Sequence, residues 1–369
     1  MTRIPAVLVT ALFVVVACSP GSAASPGAPS SSTSVSTPPA TTRPSMAVDG
    51  SPIPTPRIDY ADVPGRLLVQ HLGNALDGSE VDPANLHAER ARFYLMKPDG
   101  TGLTELLPGR PTTGKNMADI SPDLTKVAFE DWPETGAPKI YEVHLDGSGF
   151  RMISTPCDCR ETDPAYSPDG KRIAFVRQVA NEARVGIRDL AGGKVTMLAK
   201  TVGNDTGTGS DMPEQPSWSP DGRSIVYAMM RRNDGGRLMS SRIKIVDLTT
   251  MAVRELPILA TLSVGEPKFS PDGALLLLAA RPAYATLGEL FGDIYTIHPD
   301  GTSLTLLTPD EGTGASWTPD GKHILYYAQN YIWLMDPDGK NKAQWSRSGP
   351  DLSTGERGYG YTTYWIPGN

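Results

Sequence analysis

The sequence predicts an all-β protein: a six-bladed β-propeller closed by strand swap at the C-terminus and preceded by a disordered linker. Three observations predict it. A short motif recurs five times, an apolar strand candidate follows each copy, and a degenerate sixth copy stands near residue 366.

In the motif, an aromatic residue or Ile precedes Ser/Thr-Pro-Asp, and a β-rich run follows. The copies are ISPDLTKVAF from Ile120, YSPDGKRIAF from Tyr166, WSPDGRSIVY from Trp218, FSPDGALLLL from Phe269 and WTPDGKHILY from Trp317. Their Ser/Thr positions, 121, 167, 219, 270 and 318, lie 46 to 52 residues apart, a length that suits four short strands with loops. Pro presets φ for the second turn position, Asp favours the third, and Gly takes the left-handed conformation that returns the chain as a hairpin. Leu124 replaces that Gly in the first copy. A branched residue is costly at positive φ, so this turn is expected to differ from the others.

Third strands are predicted at Arg92–Lys97, Lys139–His144, Arg184–Asp189, Arg242–Asp247, Asp293–His298 and Tyr331–Asp336. Asp-Gly turns follow four of them, at Asp99, Asp146, Asp300 and Asp338. Six third strands against five motif copies leave one inner strand missing. Thr363-Tyr364-Trp365-Ile366-Pro367-Gly368 imitates Pro216-Ser217-Trp218-Ser219-Pro220-Asp221, and Ile366 falls 48 residues after Thr318. The end of the chain is therefore expected to pair with the strand at 66–71, sealing the ring and removing its free edges.

The S-P-D-G-x-x-[I/V]-[A/V]-[F/Y] repeats resemble the WD-like propeller of the TolB family over residues 60–369. The resemblance implies an envelope scaffold that binds other envelope proteins. TolB itself carries an extra domain before its propeller, whereas here the linker leads straight into blade strands.

The N-terminus reads as an export signal over 1–17. Arg3 supplies a positive start, and Ile4 to Ala17 is an apolar run too short to cross a bilayer comfortably. It ends at Val15-Val16-Ala17-Cys18, which is similar to the lipobox of bacterial lipoproteins. In that family the cysteine is acylated, so a lipid on Cys18 at the extracytoplasmic side of the cell membrane is expected. Residues 18–58 are expected to be a disordered tether. Nine prolines among Ser, Thr, Ala and Gly cannot bury enough surface to offset ordering entropy. The propeller is assigned to 59–369.

Removing the three arginines and one aspartate before residue 59 from the totals of 34 and 41 leaves 31 basic and 40 acidic side chains. That balance argues against nucleic acid and anionic lipid as partners. Contact with the membrane is expected through the N-terminal lipid only, and the chain is expected to be a monomer. Cys157 and Cys159 stand one residue apart. An oxidising exterior permits a disulfide, although one intervening residue would strain it, and two thiolates alone make a poor metal site.

Strand polarity places the tight turns on one face. The long connections, 72–91, 155–162, 200–214, 230–241, 281–292 and 347–360, fall on the other, and binding function concentrates on such loops. Residues expected just before the inner strands, at the mouth of the channel, are Asn116, Asp163, Glu214, Gln215, Glu266 and Thr362. The carboxylates among them could take a cation or a basic peptide group, or pair with Arg231, Arg232 or Arg237. No catalytic residue, cofactor or metal is assigned. The sequence has no G-x-S-x-G elbow, its five histidines lack metal-ligand spacing, and Asp336–Asn341 imitates only the start of a calcium loop. The expected function is noncatalytic binding of an envelope protein, peptide or small ligand on the long-loop face. The alternative is a surface-anchored hydrolase or lyase using carboxylates at the channel mouth.

Overall fold

The structure, a computed structural model, describes residues 65–72, 91–97, 101–108, 115–132, 136–180, 182–198, 210–232, 238–258, 261–282, 292–309, 312–328, 331–344 and 363–367. The expected signal and tether, Cys18, Thr362 and the Asp99 turn lie outside them.

Among the described residues the chain forms 24 strands and no helix. The first three are β1 (Gly65–Leu72), β2 (Ala91–Met96) and β3 (Thr104–Glu105). Five complete antiparallel sheets follow in chain order: β4 (Lys115–Ile120), β5 (Lys126–Asp131), β6 (Lys139–His144), β7 (Arg151–Met152); then β8 (Arg160–Tyr166), β9 (Arg172–Val179), β10 (Glu182–Asp189), β11 (Val195–Met197). The next two are β12 (Ser210–Trp218), β13 (Ser224–Arg232), β14 (Leu238–Asp247), β15 (Val253–Glu255), and β16 (Leu262–Phe269), β17 (Leu276–Pro282), β18 (Asp293–Ile297), β19 (Thr305–Leu306). The last complete run is β20 (Thr313–Trp317), β21 (Ile324–Ala328), β22 (Tyr331–Met335) and β23 (Ala343–Gln344). Finally β24 (Thr363–Pro367) pairs antiparallel with β1, Tyr364 opposite Leu68 and Trp365 opposite Leu67, so the first sheet reads β24-β1-β2-β3. The swap closure and the count of six are both present.

The second strands read as unbroken apolar runs because both of their faces are covered. Successive side chains on a strand point to opposite faces, and here each face meets a neighbouring blade. Leu68 packs with Val127 and Phe129 of the second blade, whereas its neighbours Leu67 and Val69 pack with Leu325 and Tyr327 of the sixth. Leu277 joins Ile324 and Tyr326, while Leu276 and Leu278 join Val226 and Ala228. The six hydrophobic clusters are thus six seams between blades, each shared by two sheets. A large side chain fully buried in such a seam contributes about 1.5–3 kcal/mol.

The repeated turn is held by its own side chains. Ser167 Oγ donates to Asp169 Oδ1 at 2.6 Å and accepts from the Arg172 amide at 2.9 Å, and Asp169 Oδ1 also accepts from the Lys171 amide. The same bonds recur around Ser219, Ser270 and Thr318. Glycines 170, 222, 273 and 321 take φ between 66° and 75°.

The first turn corrects the sequence expectation. Leu124 adopts φ 56° and its amide donates to Ser121 O at 2.8 Å, the bond that Gly170 makes to Ser167 O. The geometry is shared, not different. Leu124 packs against the seam containing Phe93, Phe129 and Ile366, and this contact offsets the cost of a left-handed Leu.

Candidate binding site in the central channel

The inner strands carry a β-bulge three residues before their aromatic or Ile position, and the bulges line up around the channel. Register shifts fall between Asn116 and Ala118, Thr162 and Ala165, Glu214 and Ser217, Gly265 and Lys268, and Thr313 and Ser316. At each bulge one residue turns left-handed: Met117, Asp163, Gln215, Glu266 and Gly314, with φ of 42° to 61°. All five stand four residues before the Ser/Thr of the motif.

This corrects the predicted position of the candidate residues. Asp163, Gln215 and Glu266 do not precede their inner strands but lie inside them, and Asn116 and Glu214 are the strand residues next to the bulge. The strands β8 and β12 begin at Arg160 and Ser210, and β13 runs to Arg232, consuming parts of the expected long loops. A bulge absorbs one extra residue without ending the pairing, so the polar residues that resemble a loop remain strand. Asn116 pairs through its backbone with Glu130.

At four of the five bulges the preceding blade supplies a side-chain acceptor for the amide of the left-handed residue. Asp163 Oδ1 accepts from the Gln215 amide at 3.2 Å, Gln215 Oε1 from the Glu266 amide at 2.8 Å, and Glu266 Oε2 from the Gly314 amide at 3.1 Å. Met117 cannot accept a hydrogen bond. In its place Glu130 of β5 reaches across, its Oε2 accepting from the Asp163 amide at 3.0 Å and its Oε1 from Trp132 Nε1 at 2.8 Å. The carboxylates are therefore strung blade to blade as acceptors of backbone N–H groups.

Two residues nearer the turn, a second tier projects into the same channel. Asp119 Oδ2 accepts from the Tyr166 amide at 2.7 Å. The Tyr364 hydroxyl donates to Ala118 O at 2.8 Å and lies 3.2 Å from Asp119 Oδ1. Lys268 Nζ donates to Ala315 O at 3.1 Å and stands 5.3 Å from the centre of the Tyr364 ring. Between the bulge tier and the prolines of the turns lies a cavity of about 370 Å³. Its walls include Trp218, Trp317, Phe269 and Tyr166, and its charged groups are Asp119, Asp163, Glu266 and Lys268.

Burial governs the titration of these groups. It raises Asp119 to about 6 against the pull of the Tyr166 amide and Lys268. Burial, then repulsion from Glu214, raises Asp163 to about 7. Burial, then repulsion from Asp163, raises Glu130 to about 8. Glu266 is raised by burial and Lys268 lowered by it, although the two attract each other. Glu214 is part-exposed and pairs with Arg232 Nη2 at 2.9 Å.

Asp119, Lys268, Tyr364 and Glu130 were absent from the sequence-derived set. The first three share one repeat position, two before the motif's Ser/Thr or its equivalent Ile366, and that shared position was the available signal. Glu130 is an acid inside a strand that is otherwise buried and mostly apolar. Among the described histidines, His144 ends β6 and His298 directly follows β18; they contact Ser148 Oγ and Ala274 O, away from the cavity lining.

Comparison with known proteins bears on the fold. The family model described as TolB β-propeller domain matches residues 75–241. The uncharacterized protein Atu1656 of Agrobacterium fabrum is 29% identical over 183 residues, covering 44% of this chain and 57% of that protein. Dipeptidyl-peptidase 5 of Porphyromonas gingivalis is 26% identical over 311 residues, covering 66% of this chain and 43% of the peptidase. The chain thus spans about half the length of these curated relatives. The crystal structure of TolB from Acinetobacter baumannii superposes with a TM-score of 0.59 at 22% identity, over 82% of this chain and 67% of that one.

Proposed function

The chain carries a TolB-like six-bladed β-propeller, and from that premise we propose that it is the noncatalytic binding module of an extracytoplasmic lipoprotein. Lipid on Cys18 would hold it to the cell membrane, and residues 18–58 would lift the propeller off the surface. The partner is an envelope protein or peptide that docks on the long-loop face and presents a cationic group to Asp163, Glu214 and Glu266. The observation that carries this reading is the pair of buried acids at the bulges, Asp163 and Glu266, which stand at the end of the cavity of about 370 Å³ farther from the tight turns. Such a volume falls in the range of small-ligand sites. A cation entering it would restore the ionised state that burial disfavours, and it would compete with Arg232 for Glu214. The role of Asp163 and Glu266 as backbone acceptors supports binding over catalysis, since both are committed to fixed amides.

The test preserves those acceptors. A triple Asp163→Asn, Glu214→Gln, Glu266→Gln variant should bind a partner captured from membranes at least tenfold more weakly. A control altered at Asp146 and Asp300 on the tight-turn face should bind normally. Loss in the control alone would mean the wrong face. Cys18→Ala should release the protein from membranes and abolish labelling by palmitate.

A second reading, a surface enzyme, is favoured by Asp119 and Asp163 carrying raised pKa values in one cavity. Turnover of a fluorogenic peptide or glycoside that Asp119→Asn abolishes while binding persists would decide for it.

A further inference from the structure

We propose that Cys157 and Cys159 form a thiol–disulfide exchange site that withdraws two electrons from a partner dithiol. The pair lies between β7 and β8, on the long-loop face and apart from the channel. The two cysteines are joined, with their Cα atoms 5.2 Å apart, inside the span of ordinary disulfides. The bond closes a loop of one intervening residue. In the chain-entropy account a cross-link stabilises more as its loop lengthens, so this bridge is a poor staple and its presence needs another reason.

The surroundings supply one. Cys157 is exposed while Cys159 is buried, so an incoming thiolate meets one sulfur and not the other. Lys139 sits over both. Its Nζ donates to the carbonyl oxygens of Cys157 and Cys159 at 2.9 and 2.8 Å, which fixes it 3.3 Å from Cys157 Sγ and 3.9 Å from Cys159 Sγ. An ammonium beside a sulfur stabilises the thiolate and not the disulfide, which makes the sulfur a better leaving group and the bridge more oxidising. The loop is pinned on both sides of Lys139. The Ile140 amide donates to Ser154 Oγ at 2.8 Å, and the Glu161 amide to Pro138 O at 3.0 Å. Glu161 lies near enough to complete a three-ligand metal group, but Arg177 and Arg188 take its carboxylate. The sulfurs are left as the reactive pair.

The exchange balances as follows. A partner thiolate attacks Cys157 Sγ, the Cys157–Cys159 bond breaks, and its electron pair moves to Cys159 Sγ beside Lys139. The second partner thiolate then attacks the partner's own sulfur in the mixed disulfide and releases Cys157 as thiolate. Both thiolates take protons from water. The partner leaves as a disulfide, and this chain holds a dithiol.

The experiment uses the purified chain with reduced glutathione or dithiothreitol, reading thiols by alkylation and mass. Lys139→Met should slow reduction of the bridge at least tenfold, and Lys139→Arg should restore most of the rate. Incubated with glutathione disulfide in place of the reduced thiol, Cys159→Ser should accumulate a glutathione adduct on Cys157 with release of one reduced glutathione, whereas Cys157→Ser should leave buried Cys159 unmodified. A Lys139→Met variant that melts like the wild type and is reduced at the same rate would overturn the proposal. So would adducts that form on Cys159 in preference to Cys157. Should Lys139→Met fail to fold, the two serine variants still decide the direction of attack.

Discussion

Two sets of carboxylates repeat around this ring, and they titrate in opposite directions. The turn set, Asp123, Asp169, Asp221, Asp272 and Asp320, lies at the surface and is held below the ordinary carboxylate range. In the first four the largest cause is the hydroxyl of the motif's Ser, which donates to the ionised oxygen. The channel set, Asp119, Glu130, Asp163 and Glu266, is buried and raised. Both sets accept backbone N–H groups, so hydrogen bonding alone does not separate them. Water does: at the surface the charge stays solvated while the bonds add to it, whereas in the channel the bonds only partly replace lost hydration. The same residue type thus serves as a local turn clip in one place and as a costly link between blades in the other.

Opening the ring should break the contrast most severely. Deleting residues 361–369 removes β24, including buried Ile366 and the Tyr364 hydroxyl that reaches Ala118 and Asp119. Losing two or three large side chains from the seams costs roughly 4–8 kcal/mol, and β1 is left with a bare edge. Aggregation, or a melting temperature lower by about 10 °C or more, is the expected outcome. In whatever remains folded, NMR titration should find Asp119 returned toward ordinary values and the turn aspartates unchanged. A truncated protein that melts normally would contradict the seam as the source of closure.

Less drastically, pH should separate the sets. The channel acids are raised, so their contribution is fully present below the unfolded pKa and fades as pH climbs through about 6, 7 and 8. The turn aspartates are depressed, so theirs is present above about pH 4 and lost as pH falls below it. Stability should therefore peak near roughly pH 4 and decline as pH rises from there toward 8. Asp163→Asn keeps an acceptor for the Gln215 amide but carries no charge, and should add about 1–3 kcal/mol at pH 8 while flattening the alkaline slope. Chemical denaturation across pH checks both, and a flat profile in the wild type would remove the burial argument.

How much of this was legible beforehand follows from what repeats. The motif declares itself in sequence because Ser, Pro, Asp and Gly are each demanded by the turn, and so the blade count and the β24 swap could be read directly. The channel was harder. Asp163, Gln215 and Glu266 could be found as polar residues at one repeat position, but a bulge inside a strand and a loop before it have the same composition. Asp119, Lys268 and Tyr364 share their position without sharing chemistry, so nothing marks them as a tier until the blades are set side by side. Glu130 was invisible for another reason. It substitutes in space for a side chain that Met117 cannot provide, and such compensation crosses from one strand to another.

Within the turn set, removing the hydroxyl should have a moderate effect. Ser167→Ala leaves the part-buried Arg172 amide without its side-chain acceptor and takes the donor from Asp169. A lost bond of this kind costs about 1–2 kcal/mol, and the Asp169 pKa should rise toward its ordinary value. Denaturant midpoints at neutral pH, with NMR titration of Asp169, test the two parts separately. If the midpoint falls and the titration does not move, the hydroxyl supports the turn without setting the charge.

The smallest effect is expected at Leu124, where the turn geometry is met by the least suitable residue. Its φ of 56° is one that Gly adopts freely, so Leu124→Gly should relieve roughly 1 kcal/mol of backbone strain. The same change withdraws a half-buried side chain from the seam formed by Phe93, Phe129 and Ile366, which costs about 1–2 kcal/mol. It also frees the unfolded chain by several tenths of a kcal/mol. These terms nearly cancel, and the variant should melt within about 3 °C of the wild type. Leu124→Asn separates them, because Asn tolerates the left-handed region but fills the seam poorly. It should therefore track the glycine variant rather than the wild type. A glycine variant that loses much more stability would mean that the Leu124 contact carries the first seam. One that gains stability would mean that strain outweighs packing there, and that the motif's glycine is wanted in all five copies.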